Sequence, residues 1–164
     1  MRFIDKEGRS FEVKACREDD IGGLCAMYDG FSPKGKFQGV PPVEPAACRD
    51  WIGNLVRQGK NFLALREGRV IGHVVVIPDL ERREGEYLIF VSQTQRNRGV
   101  GTRLTETAVQ FARDAYLRAL WLSVGTYNFP AIGLYRKFGF RFSEEDRFES
   151  ERTMHLTIGD ALKA

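Results

Sequence analysis

Two glycines and three arginines lie close together in a stretch whose residue types favour the binding of an anion. The stretch runs from Gln95 to Leu104, after an apolar strand-like run at 87–91 and before apolar residues that recur at helical spacing. Glycines let the backbone approach a ligand closely. The first N–H groups of a helix have no internal partner, and the helix dipole adds partial positive charge there. The stretch therefore predicts a phosphate-binding turn between a strand and a helix.

Two common nucleotide-binding motifs do not fit this turn. It lacks the Lys-Ser/Thr pair of a P-loop and the third glycine of a dinucleotide-binding fingerprint. An ordinary strand–turn–helix connection with a solvated basic face remains the alternative to a phosphate site, as does a nucleotide-binding protein that only shares the Gly-x-Gly turn.

A second segment, residues 120–140, reads as a strand, a turn, a helix and a closing Gly-Phe. Together the two segments resemble the GNAT superfamily of acyl-CoA-dependent N-acyltransferases, and the resemblance is most specific from about residue 61 to 142. The phosphate motif of that family, Gln/Arg-x-x-Gly-x-Gly/Ala, is matched by Arg96, Gly99 and Gly101. Its second motif is matched in order by Asn128, Ala131, Tyr135, Gly139 and Phe140.

The resemblance implies an α/β fold, with a central mixed β-sheet flanked by about four helices and with two middle parallel strands that splay apart. Splaying would leave unpaired backbone groups on Phe90 and Val91, which the amides of a pantetheine arm can pair with as an added strand would. The expected acetyl-CoA site consists of these two residues, Asn128 and the turn, namely Phe90, Val91, Arg96, Asn97, Arg98, Gly99, Val100, Gly101, Thr102 and Asn128.

The implied reaction moves an acetyl group from acetyl-CoA to a primary amine of a small molecule or a protein, by direct attack in a ternary complex. A non-catalytic module that binds or senses acyl-CoA is the alternative. Tyr135 is the expected general acid for the leaving thiolate, although a half-buried core aromatic would show the same helical spacing. Asn128 is either a helix N-cap or a cap that also touches the cofactor or the substrate.

The general base is expected among two carboxylates at the start of the strand before the turn. Strand alternation puts Glu86 on the same face as Glu84 if the strand extends that far. Glu86 is preferred because it is nearer the turn. A solvated strand end is the alternative for both. The ribosomal-protein N-terminal acetylases of the family carry a Glu where Ser123 stands here, which argues against that sub-function.

The length predicts one domain over residues 1–164, which the resemblance implies is an N-acetyltransferase domain. A net charge of +3 is too mild for a nucleic-acid binder, and no apolar run is long enough for a membrane span. The three cysteines are read as reduced thiols of a cytoplasmic protein. No metal site is visible, and His73 and His155 are both read as structural. Exposed closing strands often dimerise in this family, so a homodimer is one expected assembly.

Three local expectations concern the path of the chain. Residues 31–45 are rich in Pro and Gly and predict an irregular loop that holds Phe31 and Phe37. In the family such a loop flanks the acceptor groove, and a surface excursion is the alternative. Pro45 to Gln58 predicts a helix with a proline in its first turn. Pro78 to Gly85 predicts a charged turn between two strands.

Overall fold

The protein is seen in a computed structural model that describes residues 1–35 and 40–159. Over these residues the chain forms eight strands and four α-helices. The strands are β1 (Arg2–Ile4), β2 (Ser10–Ala15), β3 (Lys60–Arg66), β4 (Arg69–Asp79), β5 (Glu84–Val91), β6 (Ala119–Gly125), β7 (Arg141–Phe142) and β8 (Glu151–Thr157). The helices are α1 (Ile21–Asp29), α2 (Pro45–Gln58), α3 (Val100–Asp114) and α4 (Phe129–Lys137).

The strands form one mixed sheet in the order β1-β2-β3-β4-β5-β6-β8-β7. In the described chain all neighbours are antiparallel except β5 and β6. These two run parallel because α3 crosses from the end of one to the start of the other. They pair only from Glu84 with Ala119 to Glu86 with Trp121, and then separate. The predicted mixed sheet with splayed central parallel strands is therefore confirmed.

Helices cover both faces of the sheet. α1 and α2 pack on one face, where Leu24 and Ile52 meet Leu63 of β3 and Phe90 of β5. α3 and α4 pack on the other face, where Leu104 and Ile132 belong to the cluster that includes Tyr87 of β5. Apolar residues on both faces of β4 are therefore buried, and its central valines Val74, Val75 and Val76 have no exposed surface.

A buried polar network ties α1 to α2, β3 and β4. The Asn61 side-chain amide donates to the backbone oxygens of Leu55 and Gly59, both at 2.9 Å, so its oxygen accepts from His73 Nε2 at 2.7 Å. His73 Nδ1 is then left to accept from the Tyr28 hydroxyl at 2.6 Å. Burial lowers the pKa of His73 to about 3, so this imidazole is neutral. The structural role predicted for His73 is confirmed.

Most element boundaries agree with the sequence reading, and one does not. Pro45 begins α2 as expected, with Glu44 accepting from two N–H groups of the first turn. The expected charged turn from Pro78 to Gly85 is wrong in its extent, because these two residues pair with each other within the β4–β5 ladder. The ladder closes at Asp79 with Glu84, and only residues 80–83 form the turn.

The segment between α1 and α2 has no helix or strand in its described parts, as its composition predicts. Phe31 is buried against Tyr28 and Phe90, with ring centroids 5.7 and 5.8 Å away. Phe37 lies outside the described residues.

Candidate active site

The turn after β5 brings several backbone N–H groups to one point. Asn97 and Gly99 have positive φ angles of 62° and 97°, so the chain reverses sharply before α3 begins at Val100. In the described chain, the N–H groups of Val100, Gly101 and Thr102 donate no backbone hydrogen bond, as the first turn of a helix dictates. The expected turn at 96–102 thus has the geometry of an anion site, and its use for a phosphate stays a prediction.

The charged side chains around this turn are arranged differently from the sequence expectation. Arg98 lies within 3.4 Å of Glu7 in the β1–β2 turn. Arg96 is directed away from the helix start, to backbone oxygens described below. Lys137, at the end of α4, donates to Thr102 Oγ1 at 3.4 Å and adds a cation beside the turn. Sequence reasoning missed Lys137, because nothing in the local pattern places the end of α4 beside the start of α3.

A pair of hydroxyl groups fixes the first turn of α3 to β5. Thr105 Oγ1 donates to the Gly101 carbonyl oxygen at 2.7 Å and accepts from the Tyr87 hydroxyl at 2.7 Å. A Cβ atom added at Gly101 would lie 3.3 Å from Leu134 Cδ2 of α4 and 3.7 Å from Val91 Cγ2 of β5. The helix start is therefore held close to both elements at Gly101.

The register of β5 decides which backbone groups face the gap beside β6. Ser92 N–H donates to the Ile71 carbonyl oxygen at 2.9 Å, and hydrogen-bonded pairs alternate along an antiparallel ladder. The backbone groups of Phe90 consequently face β4, whereas those of Val91 and Ile89 face the gap. Phe90 places its ring 5.3 Å from Trp51, under α2. The expectation of unpaired backbone groups on Phe90 is therefore wrong, because Phe90 pairs with His73 of β4. Ile89 is the gap-facing neighbour that the sequence reading missed, and a contact of the Phe90 side chain with the cofactor stays a prediction.

Glu86 and Glu84 lie on the α1/α2 side of the sheet, beyond the part that those helices cover. They line an open groove of about 540 Å³. Glu86 is half-buried at the last paired position of β5 and β6, and burial raises the pKa of its carboxyl group. Trp121 and His155 extend the same face on the next strands across, because Trp121 pairs with both Glu86 and His155. The remaining lining residues are Ile77, Pro78, Asp79, Arg82, Ser143, Glu145, Asp146 and Thr153.

His155 is exposed and belongs to this groove, which the structural role expected from its apolar neighbours does not account for. Trp121 was also missed. Trp121 lies beside Glu86 because β6 pairs with β5 in this register. His155 lies near Glu86 because β8 inserts between β6 and β7, and the sequence gives no local signal of that strand order.

Tyr135 lies on the opposite side of the sheet from Glu86. Its ring packs edge-on to Tyr87 at 5.8 Å and also contacts Phe140. Burial raises its pKa to about 12, so the phenol is protonated at neutral pH. Among the described residues no partner lies within hydrogen-bonding distance of its hydroxyl group. Asn128 is exposed and caps α4 by accepting from the Ala131 N–H at 3.4 Å, which establishes its N-cap role.

A model of the acetyltransferase (GNAT) family matches residues 24–140 of the sequence. The chain belongs to this family. Among its relatives is the L-methionine sulfoximine/L-methionine sulfone acetyltransferase of Pseudomonas aeruginosa, 28% identical over 132 residues that cover 76% of each chain.

Solved structures of GNAT proteins share the fold. The GNAT domain of S. lividans PAT superimposes with a TM-score of 0.82 at 18% identity and 96% coverage of both chains. The structure of yncA from Salmonella typhimurium, solved with its cofactor acetyl-CoA, has a TM-score of 0.72 at 14% identity, and the match covers 91% of this chain and 94% of yncA.

The family, fold and cofactor expected from the sequence are thereby confirmed. This GNAT protein is an acetyl-CoA-dependent N-acetyltransferase. No helix in the described part of the GNAT chain is both long and apolar enough to cross a membrane. Within residues 1–35 and 40–159, no three potential ligands among its His, Cys, Asp and Glu side chains are grouped for a metal ion. The roles expected of individual residues remain predictions.

Proposed function

We propose that acetyl transfer takes place where β5 and β6 separate, and that Glu86 accepts the proton of the acceptor amine, directly or through a water. The observation that carries this proposal is the position of Glu86. It occupies the last paired register of the two strands and opens into the groove on the α1/α2 side. An acceptor in the groove is then next to the point where the gap begins.

The gap supplies the place for the acyl donor. We propose that the N–H groups at the start of α3 hold the pyrophosphate of acetyl-CoA, with Asn97, Arg98 and Asn128 beside it, and that the pantetheine arm runs into the gap. The carbonyl oxygen of Val91 is occupied by Arg96 at 3.0 Å, whereas its N–H faces the gap. That N–H is suited to stabilise the oxyanion that develops on the thioester.

The chemistry needs a neutral amine, because a protonated amine has no lone pair for attack. A free alkylamine has a pKa of about 10.4, so a base is useful at neutral pH. The raised pKa of Glu86 brings it nearer to that of the amine. The amine nitrogen then bonds to the thioester carbon, and the carbon–sulfur bond breaks to release the thiolate of CoA.

Tyr135 is proposed to act on the departing sulfur from the other face of the sheet. With a pKa of about 12, the phenol is always protonated when the thiolate forms. A thiol of ordinary pKa, about 8.5, is a stronger acid, so complete transfer of the phenolic proton would be uphill. Tyr135 therefore stabilises the developing thiolate mainly by donating a hydrogen bond, and solvent supplies the final proton.

The charges of the groove favour a particular class of amine. Asp79 accepts a hydrogen bond from the Glu81 N–H and pairs with Arg82 at 3.9 Å. Asp146 accepts from the Thr153 N–H and pairs with Arg152 at 3.8 Å. Among the described residues, the carboxylates of Glu84, Glu86 and Glu145 have no hydrogen-bond or ion-pair partner, and Arg82 is the one Lys or Arg side chain in the groove lining. We propose that amines carrying a second positive charge are preferred over amines carrying a carboxylate.

The wider setting is proposed on similar grounds. The three cysteines are free thiols, which suits a cytoplasmic protein. We propose that residues 1–164 work as a single N-acetyltransferase domain on soluble amines rather than on nucleic acid or membranes, with a homodimer as one assembly to test.

The pH dependence of kcat/KM for Glu86→Gln and Glu84→Gln tests the proposed base. For Glu86→Gln we expect a loss of about 10²–10⁴ near neutrality. Part of that loss should be recovered at high pH, where the amine deprotonates unaided. The acidic limb of the wild-type profile should lie above the ordinary carboxyl range, since burial raises the pKa of Glu86.

Glu84→Gln is the matched control on the same face of the same strand. A wild-type profile for Glu86→Gln would reject Glu86 as the base. The same loss in Glu84→Gln alone would move the role to Glu84.

A further inference from the structure

The chain between α1 and α2 is hydrogen-bonded, through the side-chain amide of one glutamine, to the segment that directly precedes the phosphate turn. Gln93, in the short turn after β5, donates from Nε2 to the Gly30 carbonyl oxygen at 2.9 Å. Its Oε1 accepts from the Ser32 N–H at 3.3 Å. The side chain thus bridges both sides of Phe31, whose ring is buried below.

Arg96, the first residue of the phosphate turn, also binds the chain that follows α1. Its Nη2 donates to the Ser32 carbonyl oxygen at 2.7 Å, and its Nε donates to the Val91 carbonyl oxygen at 3.0 Å. The guanidinium carbon also lies 5.4 Å from the centre of the Phe31 ring. Gln93 and Arg96, together with residues 30–32, are called the clasp below.

The clasp spans two segments that are about 60 residues apart in sequence, and both are close to the site. One segment is the turn at 96–102, which is proposed to hold the pyrophosphate. The other is the first part of the α1–α2 loop, which the clasp places beside the end of β5 that borders the gap. Three side-chain hydrogen bonds join Gln93 and Arg96 to Gly30 and Ser32, and a fourth holds Arg96 to Val91 of β5. The three bonds give a change of mobility in the turn a direct path to residues 30–32.

We infer that Gln93 and Arg96 are positioning residues that couple cofactor binding at the turn to the order of the α1–α2 loop. The inference rests on the proposed binding of acetyl-CoA at the turn. Binding of the phosphates fixes the turn, the clasp then holds Ser32 more firmly, and the loop side of the gap is set before the acceptor reacts. Coupling of this kind is reciprocal, so an ordered loop also favours cofactor binding.

The identity of Arg96 distinguishes this role from that of a simple phosphate charge. A guanidinium donates in two fixed directions and stacks on an aromatic ring, whereas a lysine ammonium is a single point charge. Arg96→Lys therefore keeps the attraction to phosphate but cannot bridge Val91 and Ser32 while covering Phe31. Gln93→Met keeps the length of the side chain and removes both of its hydrogen bonds.

Amide hydrogen exchange of residues 30–35, measured with and without saturating CoA, tests the coupling. In the wild type we expect CoA to slow this exchange. In Gln93→Met and Arg96→Lys we expect exchange about tenfold faster than in the wild type, because a local opening needs fewer bonds broken. CoA should no longer slow it, although calorimetry should give a CoA Kd within about threefold of the wild-type value.

Gln110→Met is the matched control, since it removes a glutamine hydrogen bond to Asp114 on the exposed side of α3. It should leave the exchange of residues 30–35 and its response to CoA unchanged. The inference is overturned if both clasp variants keep wild-type exchange, or if CoA protects the loop equally in them. Loss of CoA binding in Arg96→Lys would make Arg96 a phosphate ligand instead. Failure of the wild type to bind CoA would overturn the proposed cofactor site itself, which calorimetry reports separately.

Discussion

The phosphate turn and the groove are the two halves of the candidate active site, and they are built in opposite ways. The turn is one continuous segment, 96–102, whose binding groups are mostly backbone N–H groups at the start of α3. The groove is assembled from side chains between Ile77 and His155, carried by four strands, the β4–β5 turn and the β7–β8 loop. A backbone site depends on a few glycines, whereas a side-chain site can be changed one residue at a time. Substitutions in the groove can therefore change which amine is accepted, while the site for acetyl-CoA stays the same.

Among the variants proposed here, Gly101→Glu should have the largest effect, and this effect should be on the turn. The new side chain would start within 4 Å of Leu134 and Val91 and put a carboxylate where the pyrophosphate is expected. Like-charge contact costs several kcal/mol, so we expect the affinity for acetyl-CoA to fall about 1,000-fold or more. Calorimetry on the folded variant measures this loss.

Thermal unfolding of Gly101→Glu is the necessary companion measurement, because only a folded variant is informative. A cooperative transition together with wild-type affinity for acetyl-CoA would remove the phosphate role from the turn. The groove would then be the only half of the site with a proposed ligand.

Tyr135→Phe tests whether the α3/α4 face contributes to chemistry at all. The change keeps the ring packing against Tyr87 and removes a hydroxyl group that has no partner in the described chain. We expect stability to be unchanged and kcat to fall about 100-fold, because the leaving thiolate loses its donor. Since the pKa of Tyr135 is raised to about 12, its own ionisation should not limit the wild-type rate at any pH where activity is normally measured.

Rapid-mix single-turnover kinetics should accompany Tyr135→Phe, so that a slow release of product does not hide the effect. An unchanged rate of the chemical step would return Tyr135 to the role of a core aromatic, the alternative that its helical spacing leaves open.

The contrast between the two halves also explains what the sequence could predict. The turn could be predicted from the sequence because glycine spacing, a preceding strand and a following helix are all local signals. Gly99 adopts the left-handed conformation that favours glycine. The face of the sheet on which Glu86 lies could be predicted from strand alternation once β5 was recognised. The fold could be predicted because α3 and the two segments beside it carry family motifs.

The rest depended on contacts between distant segments. Trp121 and His155 join Glu86 only through the strand order of the sheet, and Lys137 reaches Thr102 only through the packing of α4 on α3. The direction of Arg96 depended on the path of residues 30–32, which no local pattern specifies. These are tertiary facts, and periodicity contains no information about them.

The charge of the groove should have a smaller effect, which is on the choice of amine. Putrescine and n-pentylamine have similar lengths, but only the diamine carries a second cation. We expect kcat/KM to favour putrescine by about tenfold at low salt and by less at high salt, since exposed charges are screened. Glu145→Lys should reduce this preference and leave the KM for acetyl-CoA unchanged, because Glu145 lines the groove and not the turn.

L-methionine sulfone provides the opposite probe, as an amine with a neighbouring carboxylate. A higher kcat/KM for it than for putrescine would contradict the proposed preference. Arg82 would then be the residue to examine, because it is the cation that lines the groove.

The smallest effects come from adding one methyl group to each glycine of the turn. Gly99 has a φ of 97° and open space around its missing Cβ, so Gly99→Ala meets only backbone strain. We expect its free energy of unfolding to fall by about 1–2 kcal/mol, the cost of a left-handed conformation for a residue with a Cβ. Gly101 lies in the first turn of α3, where alanine is favoured over glycine by up to about 1 kcal/mol. Its methyl group would be 3.3 Å from the flexible end of Leu134, which offsets part of that gain.

The two alanine variants should therefore give crossed results in urea unfolding and calorimetry. Gly99→Ala should lose stability and keep its affinity for acetyl-CoA to within about threefold, because its methyl group points into open space. Gly101→Ala should keep its stability and bind acetyl-CoA about tenfold more weakly. Its methyl group would occupy part of the space between α4 and the end of β5, next to the N–H groups proposed to hold the pyrophosphate. If both variants keep wild-type affinity, the glycines serve only the path of the chain, and the turn is the ordinary strand-to-helix connection that its sequence also allows.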